Sequence, residues 1–296
     1  MNMNIEIANV REDAARHVST IVNRKSQIVN FLLFFLCILP LRAQDKHEIS
    51  LSAFSGLSHL KHTVTEGSST GGFGGGFGLG YVFLFTERFG LRTGAELAFY
   101  GSEYRLENAE LKYATTDYEN APFEFRSKIC SYTETHRATM LQIPLMLQYQ
   151  SGVLHVAFGA KAGIPVAATA KTGALCLHNS GFYHRDNFEY DTQTFMGFGT
   201  FTLPAATRDL TLKTAVFLSL EAGGKFALSG KLSFYAGVFL DYGLTSIVQT
   251  RHATSLQLVE YNAQKPREFG VPGAANTGYI SKINPIAVGV KMRIGR

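Results

Sequence analysis

The connectors between strand-like segments alternate between short and long, and this alternation constrains the fold more than any other feature of the chain. Eight segments show the period of two that places successive side chains on opposite faces of a β-strand. They span 47–58, 72–84, 88–104, 137–150, 153–165, 214–227, 231–246 and 282–294. Short turns at 85–87, 151–152 and 228–230 alternate with long connectors at 59–71, 105–136, 166–213 and 247–281. Membrane-spanning barrels have tight turns on one side and long loops on the other. The sequence therefore predicts an all-β fold, an eight-stranded antiparallel transmembrane β-barrel with short periplasmic turns and long extracellular loops.

The two faces of each segment differ in polarity. In the last segment, Ile286, Val288, Val290, Met292 and Ile294 share one face, and Lys291 and Arg293 lie on the other. The second segment has Gly74, Gly76, Gly78 and Gly80 on one face and Phe73, Phe77, Leu79, Tyr81 and Phe83 on the other. Glycine makes room inside a narrow barrel and allows strong curvature. Charged residues make up only 17% of the chain, below the roughly 25% of soluble domains. We therefore expect the apolar faces to meet lipid and the polar faces to line a lumen.

The N-terminal stretch predicts export. The basic residues Arg24 and Lys25 precede a short apolar run at 31–39, and a small residue, Ala43, follows, as in a secretory signal peptide. The apolar run is shorter than the roughly 20 residues of a transmembrane helix. We predict an N-terminal extension at 1–22, a signal peptide at 23–43 and an outer-membrane β-barrel domain at 44–296. The expected location is the cell outer membrane, as an integral protein.

Inward-facing charged residues form a candidate polar network in the lumen. Its members are Arg92, Glu96, Lys161, Glu221, Lys225, Asp241, Lys291 and Arg293, with His155 and Gln142 nearby by register. Opposite charges in a narrow, weakly solvated lumen must pair, because an unpaired buried charge costs several kcal/mol. The favoured interpretation is a structural plug of salt bridges, and the alternative is a polar track for a small solute or ion. A barrel of this size is just wide enough for side chains to fill.

Two cysteines, Cys130 and Cys176, fall in different long connectors of the exported part. An oxidising compartment permits a disulfide between them. The sequence does not give the geometry that a disulfide requires. A disulfide and two isolated thiols therefore both remain open.

A catalytic interpretation rests on one short pattern, His178-Asn179-Ser180 followed by Glu189 and Asp191. Nucleophilic catalysis on a lipid needs a hydroxyl beside a general base. We expect the pattern to lie in a loop, where no strand fixes its geometry. The spacing of His178, His184 and Asp186 does not match a closed metal site. We therefore predict that the protein is not an enzyme and that it binds no cofactor and no metal.

Four short motifs make the chain resemble the porin-like or PorT-like outer-membrane β-barrel domain proteins of Bacteroidota. They are Ala43-Gln44, Leu141-Gln142-Ile143-Pro144-Leu145, Gly159-Ala160-Lys161-Ala162-Gly163 and Val288-Gly289-Val290-Lys291-Met292-Arg293-Ile294. The resemblance covers the whole mature chain, and it implies fold and location rather than an activity. The chain departs from the usual signal for barrel assembly, because Ile294-Gly295-Arg296 contains no aromatic residue.

The long connectors are the expected seat of function, since binding usually resides in loops on a rigid scaffold. We predict a non-enzymatic outer-membrane protein that acts through extracellular loops or in an envelope structural or secretion-related role. A narrow porin-like channel is the alternative, and a lipid-modifying enzyme is less favoured. The expected partners are outer-membrane lipid and lipopolysaccharide, the barrel assembly machinery and an unidentified extracellular or envelope protein. Nucleic acid is excluded, because no basic stripe is interleaved with aromatic residues.

Overall fold

A computed structural model describes residues 47–229, 232–248, 257–277 and 279–296. The predicted extension at 1–22 and the predicted signal peptide at 23–43 lie outside the described residues. The strands are β1 His47–Val64, β2 Ser68–Leu84, β3 Phe89–Thr116, β4 Pro122–Ser151, β5 Leu154–Thr172, β6 Leu175–Tyr183, β7 Phe188–Tyr190, β8 Gly199–Leu203, β9 Ala206–Asp209, β10 Ala215–Ser229, β11 Leu232–Gly243 and β12 Ile280–Gly295. Two short 3₁₀ turns span Thr194–Met196 and Ala274–Asn276.

Eight of these strands form a closed antiparallel ring. The order around the ring is β1, β2, β3, β4, β5, β10, β11 and β12, and β12 pairs with β1 to close it. Ala53 of β1 lies opposite Met292 of β12 in this closing pair. The predicted all-β fold, an eight-stranded antiparallel β-barrel, is confirmed. Closure removes the unpaired strand edges that would otherwise leave backbone groups unsatisfied in lipid.

An apolar belt surrounds the outside of the barrel. Its side chains are strongly exposed to the surroundings, with Phe73 at 77% and Leu57 at 70% of their maximum. Extended exposed apolar surface marks a membrane or protein contact, and an apolar belt on the outside of a closed barrel is typical of contact with lipid. The belt ends at Leu57 in β1 and at Phe99 in β3, beyond which outward side chains are polar, such as Lys61 and Arg105. We call this boundary the upper edge of the belt, and we call the opposite end of the barrel, where the short turns lie, the turn end.

Among the described residues, no helix has the length and apolarity needed to cross a bilayer.

Three of the four connectors predicted as long loops, at 59–71, 105–136 and 166–213, are mostly β-structure, so their prediction as loops was wrong. The connector predicted at 59–71 is only a turn at 65–67, because β1 and β2 continue above the belt. The connector predicted at 105–136 is a hairpin whose two strands stay paired to a turn at 117–121. Most of the connector at 166–213 is also strand. In the described parts of the connector between β11 and β12, at 244–248, 257–277 and 279, the regular structure consists of the 3₁₀ turn Ala274–Asn276 and isolated bridges at Val248 and between Glu260 and Gly270.

Two barrel strands, β3 and β4, therefore continue above the belt and form a sheet there with three shorter strands. We call it the projecting sheet and define it as residues 105–136 of β3 and β4 together with β6, β7 and β8. β5 and β6 follow each other along the same edge of β4, with β5 pairing at Glu134–Ser151 and β6 at Glu124–Ser131. β7 and β8 in turn pair with β6. The sheet is thus a direct extension of strands that also form the barrel.

The inner face of the projecting sheet packs against the connector between β11 and β12. Leu258 and Val259 of the connector share one buried apolar cluster with Leu111 and Leu177 of the sheet. Farther from the belt, aromatic rings pack against each other, with the Tyr261 ring 5.2 Å from that of Phe125. The connector thus lies against the inner face of the sheet above the barrel and supports it.

Candidate functional site

The centre of the lumen contains a bidentate ion pair between β3 and β10. The Arg92 guanidinium donates to both carboxylate oxygens of Glu221, at 2.6 and 2.5 Å. Both residues face inward because of the period of two, and Arg92 is only 2% exposed. Two parallel hydrogen bonds give a charged pair both strength and a defined geometry.

Two lysines extend this pair into a network. Lys161 Nζ donates to Glu96 and to Asp241, each at 2.9 Å. Lys291 Nζ donates to Glu221 at 2.8 Å and also to Glu96. Three basic and three acidic side chains from β3, β5, β10, β11 and β12 therefore balance each other in the lumen. Each buried charge has an opposite partner, which is the condition for stability inside a membrane.

Lys225 and Arg293, the two remaining members of the predicted network, lie nearer the turn end. Arg293 donates to Gln148 at 3.2 Å, and its guanidinium carbon lies 3.8 Å from the ring centre of Tyr235. Lys225 donates to Gln150 at 3.1 Å. Both cations approach Glu48 only at 3.8 to 4.0 Å. The structure thus brings six of the predicted residues into one central network and places these two in a separate layer.

Glycine on β2 makes room for the network. A Cβ atom at Gly78 would lie 2.7 Å from Glu96 Cγ, and one at Gly80 would lie 2.6 Å from Ser50 Oγ. The inward rings of Phe54 and Phe239 meet edge to face beside the network, with centres 5.3 Å apart, and Lys291 Nζ lies 5.2 Å from the ring centre of Phe54. Buried charged and aromatic side chains therefore occupy the lumen at the level of the network, as is typical of eight-stranded barrels.

A second buried polar cluster lies above the belt, at the mouth of the barrel. Glu134 of β4 is fully buried and accepts hydrogen bonds from Tyr132, from His136 Nε2 at 2.8 Å and from the main-chain N–H of Ala274 at 2.8 Å. Burial alone would raise the pKa of Glu134, but the hydrogen bond and charge of His136, and then the other two donors, hold it below its ordinary value. Glu134 therefore ties the Ala274–Asn276 turn of the β11–β12 connector to the barrel wall.

His62 of β1 lies against this cluster. Its ring centre is 4.8 Å from that of His136, and its Nδ1 shares a hydrogen bond of 2.6 Å with Ser69. Burial, followed by the proximity of His136 and His59, lowers the pKa of His62 to about 3. This cluster was not predicted from the sequence, because the first strand was predicted to end at residue 58. Continuing the inward alternation of Phe54 and Ser58 through Leu60 would have placed His62 inside.

The pattern His178-Asn179-Ser180 lies in β6, so its prediction as part of a loop was wrong. Ser180 donates to Glu189 at 2.6 Å, whereas His178 Nδ1 pairs with Thr200 at 3.1 Å. Arg126 of the neighbouring strand donates to the same Glu189 at 2.9 Å. The Ser180 hydroxyl is thus bonded to a carboxylate that arginine also binds, and His178 has a different partner, so the serine and the histidine of the pattern do not form a hydrogen-bonded pair.

Cys130 and Cys176 lie on neighbouring strands of the projecting sheet, as free thiols. Their sulfur atoms are 2.9 Å apart. The contact between the thiols, followed by burial, raises the pKa of Cys176. In the part of the chain that the structure describes, no group of three or more His, Cys, Asp or Glu side chains is placed to hold a metal ion.

The fold and the lumen together define a transmembrane β-barrel of the outer-membrane type, with an apolar belt, an ion-paired interior and a structured extension at one end. The sequence matches no protein-family model and no curated protein. The Bacteroidota family suggested by its motifs therefore stays a prediction.

Several solved outer-membrane proteins resemble the chain, with low sequence identity and low TM-scores. One is the attachment invasion locus protein Ail of Yersinia pestis in complex with the heparin analogue sucrose octasulfate, with 10% identity, a TM-score of 0.31, and coverage of 85% of this chain and 99% of that chain. Neisserial surface protein A has 8% identity and a TM-score of 0.31 over 85% and 98% of the two chains. OprG of Pseudomonas aeruginosa has 10% identity and a TM-score of 0.30 over 84% and 95%. Scores this low carry no argument, so the fold assignment rests on the closed strand order.

Proposed function

We propose that this chain is a non-enzymatic outer-membrane protein whose barrel is an anchor without an open pore and whose projecting sheet is an extracellular binding element. The central network carries the proposal, because Arg92, Lys161 and Lys291 are each held by carboxylates across the lumen. Moving an ion through would require breaking buried pairs, each at a cost of about 3–5 kcal/mol. The position of the projecting sheet, opposite the short turns, supports an extracellular location.

Single-channel recording in planar bilayers tests the anchor part of the proposal. The folded protein, identified by its altered gel migration before boiling, should give no conductance steps. Regular steps would instead favour the narrow channel that the sequence left as the alternative. A useful control is a variant with Glu96→Ser, Lys161→Ser and Lys291→Ser, which removes part of the network and shows whether the assay detects an opened lumen.

Site-specific labelling tests the location of the sheet. In a Cys130→Ser, Cys176→Ser background, Lys112→Cys should react with a membrane-impermeant maleimide on intact cells, whereas Arg88→Cys at the turn end should not. A photo-crosslinking residue at Lys112 should also give adducts on cells that the same residue at Lys61, near the belt, does not give. Labelling of Arg88→Cys alone would reverse the proposed orientation. Failure of Lys112 to crosslink would count against a binding role.

A further inference from the structure

The outer face of the projecting sheet contains a polar groove of about 420 Å³. Side chains from β3, β4 and β6, and from β7 and the residue that follows it, meet there, including Glu110, Lys112, Arg126, Lys128, Ser180 and Glu189. The volume lies within the range of roughly 300–1,000 Å³ that is typical of small-molecule sites. The inner face of the same sheet is covered by the β11–β12 connector, so this groove is on the exposed side.

Opposite charges in the groove cancel. Lys112, Arg126 and Lys128 supply three positive charges, and Glu110, Glu189 and Asp191 supply three negative ones. A site for a polyanion or a polycation needs an excess of one sign to attract its ligand. The balance in this groove therefore disfavours both kinds of ligand.

Hydrogen-bonding groups in the groove are partly held in place and partly available. Arg126 is fixed by Glu124 at 2.7 Å and by Glu189 at 2.9 Å, and Ser180 donates to Glu189 at 2.6 Å. Lys112 and Lys128 approach the same carboxylate, that of Glu110, at 3.4 and 3.5 Å. Each ammonium group has three donors, so both lysines retain donors for a ligand. The alternation of the strands directs the apolar side chain of Leu111 to the covered face.

We propose that this groove binds a short neutral oligosaccharide. Every sugar hydroxyl group both donates and accepts hydrogen bonds, and it therefore matches a surface on which fixed donors and acceptors alternate without net charge. A lipid tail or an apolar peptide would need apolar contacts, whereas the lining side chains are mostly polar or charged. The inference rests on the function proposed above, because it names the ligand class of the projecting sheet.

Saturation-transfer NMR with the full protein in lipid nanodiscs tests this inference without detergents that carry sugar headgroups. The neutral probes are lactose, cellobiose and N-acetyllactosamine, and the anionic probe is a sulfated heparin disaccharide. At least one neutral probe should bind, and its affinity should stay the same between about 0.05 and 0.5 M salt because no net charge is involved. The Lys128→Met, Ser180→Ala variant should lose affinity by about tenfold or more.

Lys171→Met is the matched control, because it removes an exposed lysine from β5, outside the groove. It should bind the neutral probe as the unchanged protein does. The inference is overturned if no neutral probe binds, if the double variant binds normally, or if only the sulfated probe binds and is displaced by salt. Crosslinking from Lys112 on intact cells together with absence of sugar binding would leave the proposed function standing and remove only the sugar.

Discussion

Arg92 and Glu221 are joined across the lumen by two hydrogen bonds, although they lie 129 positions apart in the sequence. Lys291 donates to the same carboxylate at 2.8 Å. The substitution Glu221→Gln keeps the shape of the side chain but leaves two buried cations short of a partner. We expect it to lower the free energy of unfolding by about 3–5 kcal/mol, measured by urea titration in liposomes.

The control for this substitution is Glu107→Gln, which removes an exposed carboxylate from the projecting sheet and should leave the unfolding curve unchanged. The double variant Arg92→Met, Glu221→Met should recover part of the loss, since it removes both charges together. A Glu221→Gln barrel as stable as the unchanged protein would contradict the view that the network is a closed set of pairs.

The glycine face of β2 gives a second prediction. A Cβ atom at Gly78 would lie 2.9 Å from the carbonyl oxygen of Ala95 and 2.7 Å from Glu96 Cγ, so Gly78→Ala must displace the neighbouring strand. We expect a loss of about 1–3 kcal/mol in the same urea titration. At Gly101 the nearest atom would be 3.5 Å away, so Gly101→Ala should be tolerated. Equal effects at both positions would show that backbone freedom, rather than space, explains these glycines.

The barrel could be predicted from the sequence because the parts of its strands within the apolar belt keep one alternation phase. The projecting sheet could not, because the phase changes within it. Asn108 has a φ of 52°, and the buried face of β3 shifts there, with Leu106 and Ala109 both buried although they are three residues apart. The same shift separates Ile129 and Tyr132 in β4. Both strands were therefore predicted to be shorter than they are, because a strand of constant period two was expected.

For the same reason, the central network could be predicted from the sequence, whereas the buried cluster of Glu134, His136 and His62 at the mouth of the barrel could not. Lys161 and Asp241 lie in segments whose alternation is unbroken, so their inward direction followed from the sequence alone. Glu134 and His136 belong to a stretch that was predicted to be a loop, and a loop has no alternating faces from which an inward direction could be predicted. The groove on the projecting sheet was missed because its members come from strands that were not recognised.

Oxidation of the cysteine pair is a third prediction. Cys130 and Cys176 have sulfur atoms 2.9 Å apart and close a segment of 46 residues. Protein isolated from the cell envelope should resist alkylation until a reductant is added, and a disulfide there should contribute up to about 4 kcal/mol by the loop-entropy estimate. In Cys130→Ser, the remaining thiol of Cys176 should be alkylated without reductant. Full alkylation of the unreduced, unchanged protein would favour two isolated thiols.

The mouth cluster predicts a pH dependence of stability. In the folded protein the pKa of His62 is about 3, whereas its ordinary value is 6.5. When the pH falls below 6.5, His62 therefore binds a proton in the unfolded chain but not in the folded protein. Stability is therefore lost on acidification, by about 2 kcal/mol at pH 5 for this group. Glu134, whose pKa is also lowered, adds a further loss of stability at lower pH.

Urea titrations at about pH 7 and about pH 5 should show a smaller difference in the free energy of unfolding for His62→Gln than for the unchanged protein. His184→Gln, at an exposed turn position, should keep the full difference, and an unchanged pH dependence in His62→Gln would mean that the titrating group lies elsewhere.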